Sequence, residues 1–180
     1  MILLEKPYIS EFLLQTLEKG RIPVVQTPLA EEIATGRNLN LLHESEVISK
    51  YNGSGDPLLY TNSENSISWI ENNLQHTQLP GKIKLFKNKA DFRDLLSDLY
   101  PGYFYQRIGL QSISTLDISG FRFPFIIKPA VGFFSLGVYK VEKSDEWPET
   151  VRAILGEIDR IKDLYPPEVL HTGEFIIEEC

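Results

Sequence analysis

The stretch from Phe123 to Val141, Phe-Pro-Phe-Ile-Ile-Lys-Pro-Ala-Val-Gly-Phe-Phe-Ser-Leu-Gly-Val-Tyr-Lys-Val, constrains the fold more than any other part of this chain. Large apolar residues run up to Lys128 and predict a strand. A short loop carries Gly132, Ser135 and Gly137, and Val138 to Val141 predict a returning strand. Such a unit can lay backbone N–H groups and one ammonium over a polyphosphate without a helix N-terminus. A P-loop needs a lysine and a hydroxyl directly after its second glycine. Val138 and Tyr139 occupy that place, so the charge must come from Lys128.

At 180 residues the chain has room for one domain or two small ones, each with a packed core. Its formal charge of −7 argues against nucleic acid as a partner, because neutralising phosphates requires a basic stripe. No apolar run reaches the roughly 18 residues of a membrane span. The opening Met-Ile-Leu-Leu-Glu-Lys lacks the layout of a signal peptide. A single cysteine, Cys180, excludes an internal disulfide and suits a reducing cytoplasm. His43, His76 and His171 are scattered without metal-ligand spacing.

The first part reads as alternating strands and helices. Ile2 to Leu4 predicts a strand, and Ile9, Phe12, Leu13 and Leu17 predict a helix over 8–19 with Gly20 at its C-cap. Ile22 to Val25 is the next strand, residues 28–56 read as irregular segments with a short helix, and Asn52 to Asp56 as a turn-rich loop. Leu58 to Tyr60 is a third strand. Ser63 caps a helix that packs Ile67, Ile70 and Leu74 inward, and a polar stretch with a Pro-Gly turn follows at 75–81.

The second part differs. Ile83 to Phe86 predicts a brief strand, and Asn88 to Leu99 a helix with Phe92, Leu95, Leu96 and Leu99 on its apolar face. A strand is expected near Tyr105 to Leu110, then the Lys128 strand and its return. Ser144 caps a helix whose stripe is Val151, Ile154, Leu155, Ile158 and Ile161, and Glu174 to Cys180 forms a last strand. The class expected is α/β: a small Rossmann-like unit followed by an α+β layer with an antiparallel sheet.

Phe123 to Val141, followed by Phe175-Ile-Ile-Glu-Glu, resembles the first lobe of the ATP-grasp domain, and residues 1–80 resemble the pre-ATP-grasp domain that precedes it. The division implied is 1–80 and 81–180, with the second lobe absent. The resemblance implies that ATP is clamped between two lobes and that a carboxylate is activated as an acyl phosphate for attack by an amine or other nucleophile. It implies that Lys128 reaches the phosphates and the adenine edge, that Gly132, Ser135 and Gly137 form the phosphate-covering loop, and that Lys89, with Lys87 as a competitor, is a second nucleotide lysine. Glu178, Glu179 and Cys180 resemble the hinge beside the adenine. Phe133 and Phe134 depart from the family, which has small residues there. Each feature also has a plainer reading: a snorkelling lysine at a strand end, a hairpin turn, a solvated lysine at a helix start, an edge strand with two solvated acids.

Other patterns carry nothing. Glu71-Asn72-Asn73 spells a Glu-x-Asn magnesium pattern but lies upstream of the glycine loop, in the wrong order, on a predicted solvated helix face. No G-x-G-x-x-G supports a dinucleotide site. Cys180 has no neighbouring base, and Trp69 and Trp147 read as packing residues. The resemblance places the magnesium ligands in the second lobe. The expected protein is therefore an N-terminal piece of a cytoplasmic ATP-dependent ligase, with ATP and a carboxylate as ligands and no nucleic acid or membrane. The alternatives are a non-catalytic nucleotide-binding or interaction module, and a scaffold whose first 80 residues form a homodimer surface.

Overall fold

Short apolar runs separated by capped helices build a parallel sheet in the first of two units, Met1–Pro80 and Gly81–Cys180. The computed structural model describes residues 1–52, 57–161 and 169–180. The strands of the first unit are β1 (Ile2–Leu3), β2 (Pro23–Val25), β3 (Asn40–Leu42) and β4 (Tyr60–Thr61), all parallel, in the order β3-β2-β1-β4. Helices α1 (Glu11–Gly20), α2 (Pro28–Ala34), α3 (Glu44–Tyr51) and α4 (Ile67–Asn73) connect or follow them. The Ser10 hydroxyl caps α1 by accepting from the Leu13 N–H at 3.2 Å, and Thr27 does the same for Ala30 at 3.2 Å. Ile2, Leu4, Leu14, Leu17, Val24 and Ala30 form the core.

Several details of this unit depart from the sequence pattern. Helix α1 starts at Glu11 and not Tyr8, and Phe12 is 80% exposed while Leu14 is buried, so the apolar stripe is rotated from the expected one. Gly20 is still helical, and Arg21 takes the left-handed cap conformation at φ 47°. Residues 28–51 hold two helices and a strand, where irregular segments and one short helix were expected. The third expected strand lies at Tyr60–Thr61, and Leu58 is exposed. Ser63 caps a 3-10 turn, Glu64–Ser66, that leads into α4 and buries Ile67, Ile70 and Leu74. Most of the turn expected at Asn52 to Asp56 lies outside the described residues.

Helix α5 (Leu79–Lys87) takes the place of the Pro-Gly turn and the strand expected at Ile83 to Phe86. Pro80 sits in the first turn, where its missing N–H has no helical partner to lose. Helix α6 (Lys89–Leu96) follows, capped by Asn88, whose side chain accepts from the Ala90 and Asp91 N–H groups at 3.0 and 3.2 Å. Strands β5 (Tyr105–Gly109), β6 (Phe125–Val131), β7 (Tyr139–Val141) and β8 (His171–Glu179) make an antiparallel sheet in the order β5-β8-β6-β7. Helix α7 (Trp147–Ile161) buries Trp147, Val151, Ile154, Ile158 and Ile161. Leu155, expected in that stripe, is 41% exposed, and Ser144 lies inside a 3-10 turn without capping anything.

Register assigns the two faces of this sheet, since paired residues share a face. Phe125, Ile127, Val141, Phe175 and Ile177 form one core with α7. The opposite face carries Tyr105, Arg107, Ile126, Lys128, Ile176 and Glu178. Helix α6 packs on that second face through Ala90, against Ala130 and Ile176. Leu95 and Leu99, expected to point inward, are 56% and 72% exposed.

Candidate functional site

Lys128 on β6 and Glu178 on β8 are near neighbours on the α6 side of the sheet, because Ile126 pairs with Glu178 and Lys128 with Ile176. The Lys128 ammonium donates to Glu178 Oε1. From α6, Arg93 Nε donates to Glu178 Oε2 at 3.1 Å, and its Nη2 lies 3.1 Å from the same oxygen. The Glu178 side chain is 5% exposed and that of Lys128 17%. A carboxylate withdrawn from water to this degree persists as a charge only with partners of this kind. The Arg93 guanidinium also stands 5.0 Å from the centroid of the Tyr103 ring. Burial raises the Tyr103 pKa, and the negative charge of Glu178 adds to it.

Lys89 opens α6, and its ammonium donates to the carbonyls of Pro129 at 3.3 Å and Gly132 at 3.2 Å. It thereby straps the root of the glycine loop to the helix. Within the loop, positive φ falls on Phe134 (48°), Ser135 (58°) and Gly137 (69°), and Gly132 is not among these positions. Gly137 is also sterically confined: a Cβ there would lie 2.9 Å from Pro129 Cγ and 3.1 Å from Pro129 Cδ. The two phenylalanines that interrupt the small-residue pattern behave differently. Phe133 packs against the core, with the Lys87 ammonium 5.9 Å from its ring centroid, whereas Phe134 is 70% exposed. Ser135 is exposed, and its carbonyl accepts from the Val138 N–H at 3.2 Å.

Strand alternation separates the two glutamates at the end of β8. Glu179 pairs with Phe125, on the face opposite Lys128, and its N–H donates to the Phe104 carbonyl at 3.2 Å. Cys180 is exposed. The structure therefore gathers Lys128 and Glu178 side by side, with Lys89, Gly132, Ser135 and Gly137 in or beside the loop. Glu179 and Cys180 follow along the main chain.

Two basic residues at this face escaped the sequence pattern. Arg93 stands four residues after Lys89, a spacing that puts both on one helix face and could have flagged it. Arg107 meets Asp91 at 2.7 Å, Asp94, and Glu174 at 3.5 Å. The hydrogen bond from Tyr105, reinforced by Arg107, holds the Asp94 carboxyl below its usual range. Among the described residues no group of three or more His, Cys, Asp or Glu side chains could hold a metal ion. These residues therefore do not fit a magnesium site. Glu71-Asn72-Asn73 lies on α4, where Asn73 donates to the Trp69 carbonyl and Asn72 is exposed. No described helix is long and apolar enough to cross a membrane.

Residues 121–180 match the family model of the ATP-grasp domain. No curated protein matches the sequence significantly. An L-amino acid ligase from Bacillus licheniformis aligns over 99% of this chain and 46% of its own, at 14% identity and TM-score 0.55. A biotin carboxylase from Campylobacter jejuni, in complex with β,γ-ATP, aligns over 99% and 44%, at 11% identity and TM-score 0.54. A D-alanine-D-alanine ligase from Helicobacter pylori covers 53% of this chain and 26% of its own, at 25% identity and TM-score 0.38. The chain thus spans less than half the length of each of these structures. The first two alignments give the fold.

Proposed function

We propose that this member of the ATP-grasp superfamily, whose family match spans residues 121–180, binds ATP on the α6 side of its second unit as part of an ATP-dependent carboxylate–amine ligase. The observation that carries the reading is the meeting of the Lys128 ammonium with the buried Glu178 carboxylate on that face, beside a loop rooted at Pro129 and Gly132. Lys128 supplies positive charge in a partly desolvated place, where Coulomb attraction to phosphate exceeds its value in water. Lys89 ties the loop to α6, and Gly137 lets it turn tightly beneath the phosphates. Glu178, Glu179 and Cys180 lie along the adenine edge, with the Glu178 side chain and the main chain that follows as the contacts.

The reaction proposed for the whole ligase moves the γ-phosphoryl group of ATP to a substrate carboxylate, releasing ADP. An amine then displaces phosphate from the acyl phosphate to form the amide. On this chain the work is binding and orientation alone, and no step is assigned to magnesium here because the described residues do not fit it. A cytoplasmic setting accompanies this reading.

Titration of the chain with ATP by calorimetry tests the site. Lys128→Ala should weaken binding about ten- to a hundredfold, the worth of one charge-assisted hydrogen bond. Equal affinity in wild type and Lys128→Ala would remove Lys128 from the site and the reading with it.

A further inference from the structure

Glu178 is the one buried charged side chain among the described residues, and it holds two cations at once. Lys128 takes Oε1, and two donors of the Arg93 fork lie against Oε2. The arrangement bears on the proposed nucleotide site, on which this inference rests. For Lys128 to turn toward a phosphate it must loosen its hold on Glu178. A buried carboxylate stripped of its only cation is strongly unfavourable, and an ammonium that is such a group's sole partner stays where it is.

We propose that Arg93 is a positioning residue that holds the buried Glu178 carboxylate so that the Lys128 ammonium can leave it for the phosphates of a nucleoside triphosphate. Three features of the geometry support this. Arg93 occupies one oxygen and leaves the other to Lys128, so either cation can withdraw without disturbing its neighbour's bond. The guanidinium is itself held in place, 5.0 Å from the centroid of the Tyr103 ring. It also rides on the helix whose first residue, Lys89, bonds the loop root, so one rigid element sets both the loop and the counter-charge. Arg107 cannot take over, because Asp91, Asp94 and Glu174 surround it.

Two measurements on the whole chain test the idea, one of them independent of nucleotide. The first is ATP affinity by calorimetry. The second is the acylation rate of Lys128 by an amine-reactive ester, read by peptide mass spectrometry. Arg93→Gln should weaken ATP binding about tenfold or more and slow Lys128 acylation several-fold, because Lys128 becomes the sole cation against Glu178, with the Tyr103 hydroxyl as its other neighbour. Arg93→Lys, which keeps the charge but loses the fork and the ring contact, should fall between wild type and Arg93→Gln in both readouts. Adding Glu178→Gln to Arg93→Gln should restore acylation to at least the wild-type rate, which a merely structural role for Arg93 would not produce. Unchanged acylation in Arg93→Gln, or no recovery of acylation in the double variant, overturns the proposal. Loss of affinity in Lys128→Ala with none in Arg93→Gln overturns the role of Arg93 and leaves the nucleotide reading standing. No loss in Lys128→Ala overturns both. Should Arg93→Gln fail to fold, Glu178→Gln alone decides: faster Lys128 acylation supports the balance described, and an unchanged rate sinks it.

Discussion

Replacing Gly137 with alanine should destabilise the second unit far more than the same change at Gly132, although both glycines belong to one loop. At Gly137 the backbone sits at φ +69°, where an L-residue costs about 1–2 kcal/mol. The new methyl would also stand 2.9 Å from Pro129 Cγ and 3.1 Å from Cδ. Those atoms belong to a ring within strand β6 and cannot rotate aside as a flexible side chain would, so either the loop or the strand must shift. Overpacking of that kind costs about 1–3 kcal/mol, and the two effects together reach roughly 2–5 kcal/mol. For a cooperative unit near 100 residues this lowers the melting temperature by roughly 10 °C or more.

Gly132 has no positive φ, and a Cβ there would meet Leu170 Cδ1 at 3.4 Å and Pro129 Cβ at 3.5 Å, ordinary contacts. Its carbonyl, which accepts from Lys89, is main chain and survives the change. Gly132→Ala should therefore fall within about 0.5 kcal/mol of wild type, and reduced freedom of the unfolded chain can tip it to the stabilising side. Thermal unfolding followed by tryptophan fluorescence reads both variants, since Trp147 lies buried in the core of this unit. A Gly137→Ala protein melting within a degree of wild type, or a Gly132→Ala protein just as damaged, would refute the loop path.

Other consequences are open to measurement. Burial and a 2.6 Å hydrogen bond to Glu157 push the Tyr139 pKa up to about 12 from its ordinary 10.0. The folded form therefore holds this proton more tightly than the unfolded form, and stability present below pH 10 should decline between pH 10 and about 12. Glu157→Gln should narrow that window, and spectrophotometric titration that finds every tyrosine ionising near pH 10 would contradict it. On α7, Ile154→Ala should cost about 2–4 kcal/mol from a fully buried site, and Leu155→Ala under about 1 kcal/mol, as urea unfolding would show.

Parts of this fold were legible because local chemistry and tertiary context agreed there. The alternation from Phe125 to Ile127, the loop and the return strand read directly, since one sheet face is apolar and the turn residues are explicit. Ser63 announced its cap. Residues 28–51 did not read, because β3 is only three residues long, is only partly buried, and is held by parallel pairing with β2 across the chain. Helix α5 was hidden by its own start, where Pro80-Gly81 looks like a turn although proline is at home in a first helical turn. At Gly20 and Arg21 a one-residue offset moved the left-handed position onto a non-glycine side chain.

Helix α6 shows why part of the candidate site was invisible and where the missing information lay. Its leucines suggested an inward face, yet Leu95 is exposed, as is Leu99 beyond the helix end, and small Ala90 makes the apolar contact with the sheet. The reversal follows from what the sheet presents. Glu178, Arg107 and Lys128 occupy that face, so the helix must answer with Arg93, Asp91 and Asp94 where an ordinary helix would offer leucine. The rule that apolar residues point inward presumes an apolar surface to meet, and a charged sheet face withdraws that premise. Arg93 and Glu178 are 85 residues apart, beyond the reach of any periodicity. Leu95 points to solvent while Arg93 meets a buried carboxylate, so the helix is matched to the charged sheet face beneath it and not to an apolar one.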